Sequence, residues 1–431
     1  MTQKTPFLGK YHHRAKEWSR LLGILFGAQS LIQGLGFLSG ILIVRRLPTN
    51  EYAYYTLATA MLSAMVALAD GGVAAGVLAR GGRVWKDPQK LGAVVVTGLA
   101  LRRRFALLSA LAAPVLIYFM RHHGASWSVS LLVLACLAPT FFASLSDSLL
   151  EVAPKLRQDI VALQRNQILA ALARTILTAA TVFTLPICAL AVLATGISRM
   201  WANIRLRTIT KKYADMSVPP DPVARQEILA ISYRLLPASL YSCVAGQITI
   251  WIISIFGSTQ AIGQLGGLTG LSQAMAVLNT LCATLMVPRF ARLNHDRSLI
   301  LHRFIVSQAA LIGISIAVVT GAYLFGTQIL WLLGKRFGGL NHELVLAFAA
   351  ACIAMISSMT SQLLSARGIV VPPVVLIPFA ILTQIILAFL LPLHEVSGAL
   401  LFGLYTSLAF WLLRLGYFYL NMRRKDALSA S

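Results

Sequence analysis

Runs of about twenty apolar residues, separated by short polar stretches, recur along the chain from Leu21 to Leu420. About twenty is the number a helix needs to cross a ~30 Å hydrocarbon layer. The runs predict twelve spans, at 21–44, 52–79, 105–120, 128–150, 167–184, 187–204, 228–256, 260–288, 301–325, 344–364, 370–392 and 397–420. The expected fold is therefore all-α, a polytopic membrane protein of about twelve transmembrane helices in two six-helix bundles. Pro114, Pro139, Pro237 and Pro378 fall inside spans, which membrane helices tolerate as kinks. The first run, Leu21–Val44, is longer than a signal-peptide core and ends in no clear cleavage site, so it is expected to remain as a span. Composition agrees: 58% of the residues are hydrophobic and only 12% charged, which leaves little to solvate a globular surface.

The polar residues set the topology. Of 37 Lys and Arg, 28 fall on alternate connections beginning with the N-terminal segment, 5 on the other connections and 4 within spans. That asymmetry is the positive-inside pattern, with both termini cytoplasmic. It also accounts for the net charge of +23 without nucleic acid. The longest polar stretch, Arg205–Glu227, divides the spans six and six. The expected organisation is a cytoplasmic segment 1–20, a bundle 21–204, a cytoplasmic linker 205–227, a second bundle 228–420 and a cytoplasmic tail 421–431. A shift of 209 residues superposes Glu51 on Gln260, Ser63 on Ser272, Asp70 on Asn279, Arg80 on Arg289 and Arg83 on Arg292. Polar matches at corresponding points indicate a parallel repeat, with the halves facing each other across a cavity.

Residues 45–72 read RRLPTNEYAYYTLATAMLSAMVALADGG. Arg45, Leu47, Glu51, Tyr52, Tyr55, Asp70 and Gly72 stand where a recurrent signature has Arg-x-Leu, Glu-aromatic-Gly-x-Tyr and Asp-x-Gly. The stretch resembles the first-loop signature of the polysaccharide (O-antigen, Wzx-type) flippases of the MATE/MurJ-like exporter superfamily. Ala53 departs from the usual glycine, where a tight turn is otherwise expected. The resemblance implies alternating-access flipping of an undecaprenyl-pyrophosphate-linked oligosaccharide across the bacterial inner membrane, for polysaccharide or O-antigen biosynthesis. It implies membrane lipids, and polysaccharide polymerase and assembly proteins, as further partners, and no cofactor.

A lipid-linked sugar pyrophosphate calls for cations at cavity depth and neutral polar groups for hydroxyls. Arg174 and Arg234 lie several residues inside their spans and Arg20 opens the first, each with a planar fork suited to pyrophosphate. Snorkelling to an interface is the plainer reading of Arg20, Arg199 and Arg414. Gln29, Gln33, Gln247 and Asn279 are candidate sugar contacts, or else helix–helix hydrogen bonds. Asp70 alone among fourteen acids is deep in a span, near mid-depth by its distance from Arg80. It reads either as an ion-coupling carboxylate or as a polar packing contact.

Other features are assigned blander roles. Residues 91–101 followed by Arg102, Arg103 and Arg104 read as an interfacial helix attracted to anionic lipid. The pairs Gly36/Gly40, Gly72/Gly76 and Gly263/Gly267 read as close helix packing. The five cysteines lie in or beside apolar runs with no metal spacing, and the histidines at 12–13 and 122–123 read as solvated loops. P-loop, zincin and nucleophile-elbow motifs do not occur, so the chain is not expected to be an enzyme. A polytopic O-antigen polymerase or ligase is disfavoured by the short external loops. A MATE-type multidrug exporter, which takes amphipathic cations, would want an acidic interior.

The charge pattern makes a topological prediction. Single cysteines at Asp221 and Ser429 should be labelled from the cytoplasmic side only, and periplasmic labelling of either overturns the assignment.

Overall fold

A computed structural model describes residues 7–109, 111–291, 293, 297–367 and 369–429. The first half contains α1 (Phe7–Arg46), α2 (Thr49–Asp70), α3 (Val73–Val84), α4 (Pro88–Ser109) and α5 (Ala112–His122). It continues with α6 (Trp127–Leu150), α7 (Val152–Leu156), α8 (Ile160–Thr184) and α9 (Cys188–Lys211). The second half contains α10 (Pro222–Phe256), α11 (Thr259–Ser272), α12 (Met275–Ala291), α13 (Arg297–Leu324) and α14 (Gly326–Leu333). A 3₁₀ turn at Lys335–Phe337 leads to α15 (Asn341–Ser365), α16 (Pro373–Leu390) and α17 (Val396–Ser429).

Among the described residues ten helices are long and apolar enough to cross a membrane, and the bent pair α4/α5 makes an eleventh. α9 completes the expected twelve. It is less apolar, with Arg199 and Asn203 in its second half, and packs along α6 and α8. The two halves repeat one another in element order. α9 against α6 and α8 corresponds to α17 against α15 and α16.

Two expectations need correction. The apolar run 52–79 is two helices, because Gly71 (φ 47°) and Gly72 (φ 85°) take left-handed backbone that side chains rarely tolerate. Residues 91–101 are not a separate surface helix. They belong to α4, which packs on α2, α3 and α6 with Leu91, Val94, Val95, Thr97 and Leu101 buried. Ala53, in place of the signature's glycine, is fully buried inside α2 with no turn, in line with that departure. The non-helical part of the 205–227 linker is short, Lys212–Asp221, since α9 and α10 extend into it from either side.

The halves also meet at the end remote from this linker. One apolar cluster there joins Ile43, Val44 and Leu47 to Ile262, Leu333 and Phe337, with Leu47 fully buried. Polar bonds reinforce it across the halves. Arg45 donates to the carbonyls of Trp331 (2.6 Å) and Leu332 (2.8 Å), and Arg336 donates to that of Leu47 (2.6 Å). At the linker end the described clusters stay within one half, except where Ala224 and Ile228 of α10 enter the core of α3, α4 and α6. There the bare Gly72 and Gly76 let α10 approach: a Cβ on either would meet Leu235 or Ile228 at 3.0 Å.

His123, in the loop after α5, is not simply solvated but also bridges the halves at the remote end. Its Nε2 donates to the Ser254 carbonyl (2.8 Å), and its Nδ1 lies 3.2 Å from the Thr259 hydroxyl. Burial pushes its pKa down, opposed by the Ser254 bond and aided by His122. The closed contact thus favours neutral His123. Its stabilisation is complete above the ordinary value of about 6.5 and is lost as pH falls through that value towards the depressed one. Spin labels at Ser128 and Gln260 should therefore move apart between about pH 7.5 and about pH 5.5, and His123→Gln should remove the response. An unchanged distance in the parent protein would sink this.

Candidate functional site: a cavity between the halves

A cavity of about 880 Å³ lies between the halves, closed at the remote end by the shared cluster. Its walls come from α1, α2 and α8 on one side and from α10, α11, α12, α15 and α17 on the other. The lining is mostly neutral and small. Eight glycines and the alanines of α15 leave room, while hydroxyls and amides supply polarity. On α2 the polar groups fall at helical spacing: Tyr52, Tyr55, Thr56, Thr59 and Ser63 all line the cavity. Tyr52 and Tyr55 stack with ring centroids 6.2 Å apart. Across from them stand Gln247 and Thr249 of α10 and Gln273 at the break between α11 and α12.

Among the described residues Arg174 is the one charged residue of this lining. Its backbone is anchored by its neighbour: Thr175 shares a 2.8 Å hydroxyl bond with Ser39, which fixes α8 against α1. The guanidinium then reaches over α1 at Gly36, its Nη2 2.9 Å from where a Cβ would stand. No described residue accepts a hydrogen bond from Arg174, no carboxylate pairs with it, and its buried Nε is left without a partner. Gly36 and Gly40 are therefore not a packing pair, since Gly40 has nothing within 4 Å. Gly72/Gly76 do pack closely on α10, as do Gly263 on α2 and Gly267 on Phe337.

Of the residues singled out in the sequence, Gln33, Gln247 and Arg174 come together around the cavity. Arg234 does not: it is exposed on α10, outside the lining. Asn279 also lies outside it, two residues beyond Val277 on α12, with its buried Oδ1 unpartnered. Arg20 is part of α1, but its side chain lies outside the described residues. Gln29 is half-buried and off the lining.

Asp70 is the last residue of α2 and forms an ion pair with Arg102 of α4. The 22 residues of α2 span about 33 Å at 1.5 Å each, a full hydrocarbon thickness. Asp70 thus stands at the linker-side end of a crossing rather than at mid-depth. Arg102 is 3% exposed and also donates to the Leu145 carbonyl (3.0 Å) and the Ser148 hydroxyl (2.5 Å). It is a buried tie between α2, α4 and α6, whereas Arg103 and Arg104 are exposed as expected for lipid-facing charges. A second tie lies beside it on α6 and α9. Asp147 accepts from Arg199 (2.9 Å) and from Asn203 (2.6 Å).

The other signature residues have equally local reasons. Glu51 accepts from the Cys188 backbone at the start of α9 (2.7 Å), a favourable place for a carboxylate. Arg45 and Leu47 belong to the remote-end closure. The hydroxyl ladder of α2 was readable from its spacing. Nothing in the sequence pointed to Gln273, to the Arg102 pairing or to His123, because each depends on partners distant in the chain.

The Asp70–Arg102 pair can be tested by stability. Asp70→Asn leaves a buried guanidinium without its counter-charge, a loss of about 3 kcal/mol by analogy with other buried pairs. The melting temperature in detergent should drop, and Asp70→Asn combined with Arg102→Met should recover much of the loss. A single variant that melts like the parent would show that the pair contributes nothing.

No protein-family model matches the sequence, and no curated protein does. Solved structures do match. An inward-facing structure of a multidrug-resistance MATE transporter of the MOP superfamily aligns over 93% of this chain and 96% of its own, with a TM-score of 0.70 at 14% identity. An outward-facing structure described in the same terms aligns over 93% and 94%, with a TM-score of 0.60 at 14% identity. A MOP-superfamily transporter from Pyrococcus furiosus, described as having a binding pocket of reversed polarity, aligns over 90% and 92%, with a TM-score of 0.57 at 14% identity. The chain thus has the fold of the MATE transporters of the MOP superfamily, two repeated helical bundles around a central cavity.

Proposed function

We propose that the chain is a flippase that moves an undecaprenyl-pyrophosphate-linked oligosaccharide across the bacterial inner membrane by alternating access of its two halves. The observation that carries this reading is the chemistry of the cavity. Among the described residues its only charge is Arg174, and its other polar groups are hydroxyls and amides. A guanidinium can give two parallel hydrogen bonds to a phosphate, and neutral donors and acceptors suit sugar hydroxyls. The volume, about 880 Å³, fits a headgroup, while a polyprenyl tail can remain in the bilayer. The remote-end closure would supply one gate of the cycle.

A MATE-type exporter of amphipathic cations is the second reading, since the fold is that of multidrug-resistance transporters. A lone arginine in the lining opposes it, because burying a second cation beside the first is unfavourable. The description of the Pyrococcus transporter's pocket is consistent with one fold serving pockets of either polarity. Asp70, tied to Arg102 and off the lining, is in this reading a structural charge.

Export of lipid-linked glycan in cells separates the readings. Arg174→Ala should reduce it about ten- to a hundredfold, the equivalent of one charge-assisted hydrogen bond, with folded protein still in the membrane. Arg174→Lys should also be impaired, whereas Arg234→Ala should export normally. Full export by the Arg174→Ala variant would reject the proposal, and extrusion of a lipophilic cation would favour the exporter.

A further inference from the structure

We infer that Gly36 is a positioning residue for Arg174: the bare α-carbon on α1 is the seat that holds the guanidinium at its place in the cavity wall. The inference rests on the reading of Arg174 as the anion contact and adds a second residue to it. The Ser39–Thr175 bond fixes the two helices laterally, one residue away from Arg174, so the arginine's stem has a set origin. From there the side chain passes across α1 at the one point where no Cβ blocks it. A methyl at position 36 would lie 2.9 Å from Nη2, closer than real Cβ atoms approach. The nearest atom is the far end of a flexible side chain and not backbone, so Gly36→Ala should displace the guanidinium while leaving the helices packed. Since Arg174 has no hydrogen bond or ion pair with any described residue, steric fit is the remaining constraint on its position. Gly27, on the same helix but outside the cavity lining, is exposed with nothing within 4 Å and provides an internal control.

The test uses the full chain, purified, with inorganic pyrophosphate as probe. Gly36→Ala should weaken binding several-fold and Gly27→Ala should leave it unchanged. In the Arg174→Lys variant the side chain ends about where the guanidinium carbon stood, short of position 36. In that background the Gly36→Ala penalty should therefore vanish, a non-additivity that general disruption of the α1–α8 contact would not produce. A penalty that persists alongside Arg174→Lys, or equal effects at 36 and 27, overturns the inference. A separate readout is the rate at which phenylglyoxal modifies Arg174, followed by mass spectrometry: it should change in Gly36→Ala and not in Gly27→Ala. If the parent protein shows no Arg174-dependent pyrophosphate binding, the anion reading fails. The modification rate alone then decides whether Gly36 seats the side chain, and an unchanged rate refutes it.

Discussion

A charge inside a bilayer must be paired, solvated by backbone, or left facing water, and the architecture follows from how this chain meets that demand. Asp70 holds Arg102, Asp147 holds Arg199, and Glu227 holds both Arg80 and Arg83 where α3 meets α10. Arg414 is satisfied by the carbonyl and hydroxyl of Ser357. Within the spans the acids are thus occupied in fixing helices. Arg174 is left over and faces the cavity. The same requirement that stabilises the bundles concentrates the site's electrostatics on a single group.

The pairs sit at the linker-side end of the first half, where they bind α2, α4, α6 and α9 into one unit. The remote end is closed differently, by apolar packing with a few bonds to backbone carbonyls across the halves. Contacts to carbonyls leave no charge stranded when broken, because guanidinium and carbonyl both rehydrate readily at an aqueous surface. Ion pairs thus tie helices at the linker-side end, whereas the remote-end contacts across the halves are apolar or made to backbone carbonyls.

Much of this was legible from residue order. Apolar run length gave the spans, basic residues gave their division, and a shift of 209 residues aligned α4 with α13 to the residue, Pro88 on Arg297. Arg174, Gln33 and Gln247 were recognisable because polar groups in apolar runs need a reason. Depth was less legible. The Gly71–Gly72 break was hidden inside an uninterrupted apolar run, so Asp70 was placed one helix too deep. Arg234 and Arg174 have equivalent sequence surroundings. Only the rotation of α10 against its neighbours turns one outward, and rotation depends on packing that no single run of residues encodes. Arg102 is the converse case, a member of a basic triplet whose neighbours are exposed while it alone meets Asp70.

The route of α10 has a consequence for how the molecule could be divided. Its first turns belong to the core of the first half, against the bare faces of Gly72 and Gly76, while its last turns line the cavity with the second half. A cut in the Lys212–Asp221 segment would therefore not release two self-sufficient pieces. The leading fragment would expose a groove of glycines, and the trailing one an apolar helix end with nothing to cover it. Each would be the other's missing surface. The two halves of the repeat thus complete one another's surfaces, through α10 at one end and the shared apolar cluster at the other.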